Sequence, residues 1–223
     1  ELYAQIVGKK TDYGLAHATE HDHARFGRDF TGIGLVEAWG SPGVHAKINF
    51  IAHSMGAQTV GMLAQLLENG FPGEQAADYS GQEEISELFD PSQDTRNLIH
   101  SLMTVAGSHN GSTLANELKE LVPIVEELVV GALAFVGMDS NNTVANVYDV
   151  KLDQFGLTPR QPGESLHAYF QRVAEAADGF LNGERKDICL WDLSPEGAAE
   201  QNAWVHAQDN IYYLSYSVGS TMA

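Results

Sequence analysis

The sequence predicts an α/β protein in which a mostly parallel sheet is covered by helices on both faces. Three observations carry that expectation. An apolar strand pattern over 45–53 runs straight into a helical pattern over 56–69. Later strand-like runs, at 101–106 and 211–216, are separated from it by amphipathic helical stretches. The 223 residues, 43% of them hydrophobic, suffice for one sizeable core. Strands that alternate with helices pair in parallel, because each helix carries the chain back across a face of the sheet. Nothing in the distribution of residues forces a division, so 1–223 are expected to form one domain.

The elements follow in order. The first residues read as a helix, and the chain opens inside it at Glu1 with neither Met nor signal peptide, so a piece cut from a longer protein is expected. Ala46, Ile48, Phe50, Ile51 and Ala52 form the buried strand of 45–53, and Val60, Leu63, Leu66 and Leu67 recur at helical spacing after it. Gly70, Pro72 and Gly73 close that helix, and the polar, acidic stretch 75–97 reads as a surface excursion. After the strand at 101–106, residues 113–136 carry a wide apolar helical face from Leu114 to Val136, kinked at Pro123. Pro162 and Gly163 lead into a second amphipathic helix over 164–177. Ser194 and Pro195 are a good N-cap and first residue for a helix reaching His206, before the closing strand. There is no internal repeat and no low-complexity tract.

Charge narrows the function classes. Twelve basic against thirty acidic residues give a net charge of −18, which repels nucleic acid and anionic membrane surfaces and suits a chain working in salty or extracellular water. Cys189 stands alone, so no internal disulfide can form, and no apolar run is long enough for a transmembrane segment.

Ala52-His53-Ser54-Met55-Gly56 lies where the strand meets the helix. That is where α/β-hydrolases place the G-x-S-x-G nucleophile elbow, here with Ala in the first glycine position. The pentapeptide alone is loose; its strand-turn-helix setting carries the reading. A backbone that reverses within a few residues holds the serine in strained dihedrals and is expected to leave no room for larger side chains at positions 52 and 56. Ser54 is thereby the candidate nucleophile, and the backbone amide of Met55 the candidate oxyanion-hole donor. The competing reading is a buried strand end with an incidental serine. His53, next to the serine on the bend, points elsewhere and is taken as structural.

His17, His21 and His23 crowd into 11–27, and neutral imidazoles with carboxylates form a ligand set that suits zinc. Spacing alone pairs His17 with His21 on one helical face and turns His23 away; a solvated polar helix end is the alternative.

The chain resembles the thermoalkalophilic Bacillus-type lipases and their staphylococcal relatives nearly end to end. The matching segments include Thr11-Asp12-Tyr13-Gly14, His23-Ala24-Arg25-Phe26-Gly27, Ile51-Ala52-His53-Ser54, Leu66-Leu67-Glu68-Asn69-Gly70, Lys151-Leu152-Asp153-Gln154, Arg160-Gln161-Pro162-Gly163-Glu164-Ser165 and Tyr212-Tyr213-Leu214-Ser215. The resemblance implies an exported α/β-hydrolase that cleaves triacylglycerols and shorter esters at an oil–water interface, with a structural zinc. It assigns zinc ligands to His17 and His23, not His21. A third falls on Asp187, five residues before Asp192-Leu193-Ser194, and a fourth before Glu1. It makes the region about 113–137 a lid helix, against the plainer reading of a core helix. It leaves a calcium site possible in the full-length protein, outside this chain. The chain departs from the family at Gly107-Ser108-His109, in the acidity of 78–94 and in the length of 40–46. His109 is read as structural.

A serine hydrolase of this fold needs an acid and then a base after the nucleophile, and the resemblance puts both beyond Ala223 and the first oxyanion donor before Glu1. An internal triad with Asp187 or Asp192 as acid and His206 as base has the right order, but His206 falls in a predicted helix rather than on a loop after a later strand. The expectation is a lipase or carboxylic-ester hydrolase whose 223-residue piece is nearly inactive alone. The alternative is a non-catalytic lipid- or surface-binding protein that kept the fold.

Overall fold

The computed structural model describes residues 1–223 apart from 37, 42, 45, 91–95, 114, 116–159, 182–185 and 218–223. In chain order the described elements are α1 (Leu2–Val7), β1 (Lys10–Asp12), α2 (Leu15–Glu20), β2 (Phe26–Asp29), β3 (Ile48–His53), α3 (Gly56–Asn69), α4 (Pro72–Gln75), β4 (Ile99–Val105), α5 (Leu166–Leu181), α6 (Cys189–Asp192), α7 (Pro195–Asn202) and β5 (Tyr212–Tyr216). The chain divides into two compact units, Glu1–Ser112 with Pro195–Ala223, and Thr113–Ser194.

In the first unit β3, β4 and β5 form a parallel sheet in that order, with Ala52 opposite Thr104 and Thr104 opposite Ser215. The central strand is the buried one: Ile99, Leu102 and Thr104 are each at most 2% exposed. Helix α3 lays Val60, Leu63, Ala64 and Leu67 into the core that includes Ile99 and Leu102. Three of these, Val60, Leu63 and Leu67, belong to the stripe the sequence predicts; Leu66 is only partly buried and Ala64 takes its place at i, i+3, i+4, i+7 spacing. Trp39, 1% exposed, fills the core and satisfies its indole by donating to the Leu98 carbonyl at 3.1 Å. Before the sheet, β1 and β2 pair antiparallel, Lys10 opposite Asp29, so α2 is the connection of a small hairpin.

Two expectations need correcting. The stretch 75–97 is not wholly a surface excursion: Leu88 and Phe89 are buried and Ile85 packs against the core. The Phe71 amide donates to the Phe89 carbonyl, so the acidic loop is pinned at its end while Glu83 and Glu84 face solvent. The helix expected to reach His206 stops at Asn202, because the chain turns at Ala203 and Trp204 to bring the indole within 5.3 Å of the Phe71 ring.

In the second unit α5 covers Leu166–Leu181, starting two residues later and ending four residues later than the sequence pattern of 164–177. Ser165 caps it, its hydroxyl accepting from the Ala168 amide at 3.1 Å. Cys189 is an exposed free thiol. The expected lid region, about 113–137, lies outside the described residues except for Thr113 and Ala115.

Candidate functional site

Strand β3 ends at His53 and α3 begins at Gly56, so the reversal is made by Ser54 and Met55 alone. Ser54 sits at φ 54°, a left-handed conformation rare for a residue with a side chain. Holding it there costs about 1–3 kcal/mol. The hydrogen bonds around it show what fixes the conformation. The Ser54 amide donates to the Val105 carbonyl at the end of β4 (3.1 Å), and the Ser54 carbonyl accepts from the Ala57 amide (3.1 Å). The serine is therefore clamped between neighbouring strand and helix, with its side chain exposed. Met55 has helical dihedrals, φ −57° and ψ −28°, which puts its amide among the first N–H groups of a helix, those without an intrahelical acceptor.

The flanks are less restrictive than expected. A methyl group built on Gly56 would lie 3.7 Å from the Cβ of Ala52, an ordinary contact. Ala52, the neighbour such a methyl would meet, is itself buried on β3.

Crowding is greater on the loop after β4. Ala106 adopts φ 47° and donates its amide to the Tyr216 carbonyl. At Gly107 a Cβ would fall 2.8 Å from the Cβ of Ala57 and 2.7 Å from Nε2 of His109. Gly107 is thus the residue whose missing side chain lets this loop touch the first turn of α3. His109 is engaged with Thr104, its Nε2 3.1 Å from the hydroxyl, and its carbonyl accepts from Asn202 at 2.8 Å. The Ser108 hydroxyl donates to Gln58 at 3.2 Å. His206, whose amide donates to Gln65, lines a cavity of about 350 Å³ beside α3 with Ala57, Leu102, His109 and Leu214; Ser54 does not line it.

Within the first unit the histidines gather. Helix α2 carries His17. His21 ends it, its amide donating to the His17 carbonyl at 3.0 Å. Asp22, at φ 53°, then folds the chain back, so that the His23 amide reaches the Ala18 carbonyl at 3.1 Å. The ring centroid of His17 lies 4.6 Å from that of His21 and 5.1 Å from that of His23. Spacing turns His23 away only if the helix continues; the turn at Asp22 brings it back. The Nδ1 of His23 lies 2.8 Å from the Ala24 carbonyl, which can only accept, so Nδ1 is the donor and in the neutral ring Nε2 keeps the lone pair. A ligating imidazole is oriented in this way. Asp187, exposed, belongs to the second unit.

Sequence reasoning missed what holds this cluster. Glu74, on α4, is fully buried. Its Oε1 accepts from the His17 amide at 2.8 Å, and its Oε2 from the Ala16 amide at 3.0 Å and the Tyr79 hydroxyl at 2.7 Å. Burial pushes this carboxyl up, but the bonds from His17, Tyr79, Ala16 and Leu15 together hold it below the usual carboxylate range. Burial, then the bond to Glu74, pushes the Tyr79 phenol up to about 12. Next to it Arg25 forks onto Asp12, with Nε to Oδ1 at 2.9 Å and a second nitrogen to Oδ2 at 2.6 Å, and donates to the carbonyls of Glu83 and Glu84. The bond to Asp12 raises the guanidinium pKa despite the opposing cost of burial. No local signal announces Glu74, because its amide partners lie 57 and 58 residues away in the chain.

Comparison with known proteins bears on this arrangement. The chain is 36% identical over 224 residues to a lipase of Staphylococcus epidermidis, covering 99% of this chain and 30% of the relative. The crystal structure of Staphylococcus hyicus lipase superposes with TM-score 0.73 at 33% identity, covering 95% of this chain and 50% of that one. Lipase 1 from Pelosinus fermentans gives 0.69 at 39% identity, covering 95% and 52%. The chain therefore spans about a third of the curated relatives' length. The α/β fold with its parallel sheet is that of these lipases. The family model described as "Lipase-like, C-terminal domain" matches residues 1–223, and the chain belongs to that family.

Proposed function

We propose that this chain carries the nucleophile of a secreted serine lipase acting on triacylglycerol. The observation that carries the reading is the bend at Ser54: a non-glycine residue held at φ 54° between β3 and α3, with its side chain exposed. In the reaction Ser54 Oγ attacks the ester carbonyl carbon while its proton passes to a base. The tetrahedral oxyanion is stabilised by the Met55 amide, the alcohol leaves, and water then releases the fatty acid from the acyl-enzyme. The base and its orienting acid are proposed to come from outside these 223 residues, so the piece alone should turn over ester only slowly.

His17 and His23 are proposed to hold a structural zinc. The supporting observation is the pairing of their rings, with the proton of His23 fixed on Nδ1. Asp187 enters as a third ligand on the resemblance. Bound there, the ion would cross-link the α2 hairpin and take no part in ester chemistry.

The test uses the full-length protein. A fluorophosphonate should label Ser54, seen as a modified peptide by mass spectrometry. Ser54→Ala should abolish labelling and lower hydrolysis of emulsified triolein by about 10⁴-fold or more. Undiminished turnover in Ser54→Ala would overturn the reading, and the absence of both labelling and turnover in the parent protein would favour a lipid-binding role. For the metal, His17→Ala should lose about one equivalent of zinc relative to the parent.

A further inference from the structure

We propose that Glu74 is a positioning residue for the metal-binding imidazoles, its buried carboxylate fixing α2 so that His17 and His23 face one another before any ion arrives. The inference rests on the zinc reading above, and it comes from what orients the first turn of α2. A helix of six residues does not sustain itself in water. Its N-cap is Gly14, which has no side chain to offer the orphan amides of the first turn. Glu74 supplies the missing acceptors from another element, one oxygen to Ala16 and the other to His17. A single bond would leave the short helix free to roll about its axis. Two bonds from a rigid fork fix the azimuth, and hence the direction of the Cα–Cβ vector of His17.

The far side of the same residue is fixed as well, because the His17 carbonyl accepts from the His21 amide. With its backbone held at both groups, only the two side-chain torsions of His17 remain. The carboxylate fills the space over Gly14: a Cβ there, at φ 94°, would overlap it. Glu74 is in turn held by Tyr79 and by the anchoring of α4, where Gln75 donates its side-chain amide to the Phe89 carbonyl at 2.9 Å. The carboxylate reaches His17 through its backbone amide, so the role is positioning rather than ligation.

The test measures zinc affinity by chelator competition, and the absorption spectrum of the cobalt-substituted full-length protein. Glu74→Gln keeps the shape but replaces one acceptor oxygen with a donor that opposes an amide N–H. It is expected to weaken zinc about 10-fold or more and to alter the cobalt bands, while the metal-free protein stays folded. Tyr79→Phe removes the hydroxyl that accepts from the Leu15 amide at 3.4 Å but leaves both Glu74 bonds to α2 in place, and is expected to weaken zinc by no more than about threefold. A merely structural role would lower the unfolding temperature of metal-free and metal-bound protein alike and leave affinity and spectrum unchanged, and that result overturns the proposal. Should Glu74→Gln not be recoverable, Gly14→Ala, which pushes the carboxylate off the helix, replaces it; parent-like affinity and spectrum there overturn the proposal equally. His17→Ala is run alongside. If it too retains zinc, the metal reading itself fails; if it loses zinc while Glu74→Gln binds as the parent does, only the positioning role fails.

Discussion

Substituting Gly107 by Ala tests how the bend at Ser54 is supported. The added methyl would fall 2.8 Å from Ala57 Cβ and 2.7 Å from His109 Nε2. Carbon atoms in contact prefer about 3.5–4.0 Å, so the Ala57 contact is short by about 1 Å. Ala57 has no torsion by which to retreat and is 1% exposed, so the backbone of α3 or of the loop must move; overpacking of this kind costs roughly 1–3 kcal/mol. His109 can swing away, but only by giving up its bond to Thr104, a further ~1 kcal/mol. The total, ~2–4 kcal/mol, should lower the unfolding temperature of the full-length protein by about 2–5 °C. Because the Ala57 amide donates to the Ser54 carbonyl, the displacement should also reach the serine and depress kcat more than KM. The companion change Ala57→Gly removes one of the two clashing carbons. It should restore stability by at least 1 kcal/mol (roughly) in a double-mutant cycle, beyond what the single changes predict together. A Gly107→Ala protein as stable as the parent, or a cycle without coupling, would refute the claim that this loop braces the elbow through that contact.

Three further outcomes follow from local geometry. Gly56→Ala should fold and remain active, with stability unchanged or raised by up to about 1 kcal/mol, since its methyl finds ordinary contact with Ala52 and the helix gains propensity; loss of activity in a thermal and kinetic comparison would contradict this. Asp22→Gly should stabilise the protein by about 0.5–1 kcal/mol and keep its zinc, because glycine takes the φ of 53° that Asp22 adopts without the cost of a Cβ; urea unfolding and metal analysis check both. For Glu87, burial raises the carboxyl pKa, but the bonds and charge of Lys9 and the hydroxyl of Tyr3 hold it below its ordinary value of 4.5. A depressed folded pKa means the stabilisation is present above pH ~4.5 and lost as pH falls through the folded value, so Glu87→Gln should be less stable than the parent at pH 7, and the gap should close in acid unfolding curves.

What could be read from the sequence was what depends on near neighbours. Ser54 was legible because strand, bend and helix follow one another within a few residues, and the stripe of Val60, Leu63 and Leu67 declares its own buried face. The histidines were legible as a cluster but not as a geometry. Spacing assumes the helix runs on through His23, whereas the turn at Asp22 folds that residue back toward His17. Leu88 and Phe89 were hidden in an acidic stretch too sparsely apolar to show a period, and their burial depends on partners from α3 and from the loop at Phe71. Glu74 was hidden most completely. A carboxylate in an exposed-looking Pro-Gly-Glu turn gives no sign that backbone amides from the first residues of the chain will satisfy it.

One helix joins the two candidate sites, and its packing decides whether they communicate. Helix α3, 14 residues and so about 21 Å long, starts at the serine bend and ends at Gly70, whose amide closes on the Leu66 carbonyl before the chain passes through Phe71 into α4 and Glu74. If α3 were held only at its ends, disturbing Glu74 would tilt it and move Ser54. It is held along its length instead: Val60, Leu63, Ala64 and Leu67 are all no more than 5% exposed, and Ser54 is separately tied to Val105. A close-packed interior resists the small sliding that such a tilt requires. Sites this far apart with no shared partner behave independently. Glu74→Gln is therefore expected to leave kcat for a soluble short-chain ester within about threefold of the parent while it weakens zinc and shortens the half-life on heating. A large loss of kcat at low temperature, with the protein folded and zinc-loaded, would show that α3 transmits the disturbance and that the packing argument is wrong.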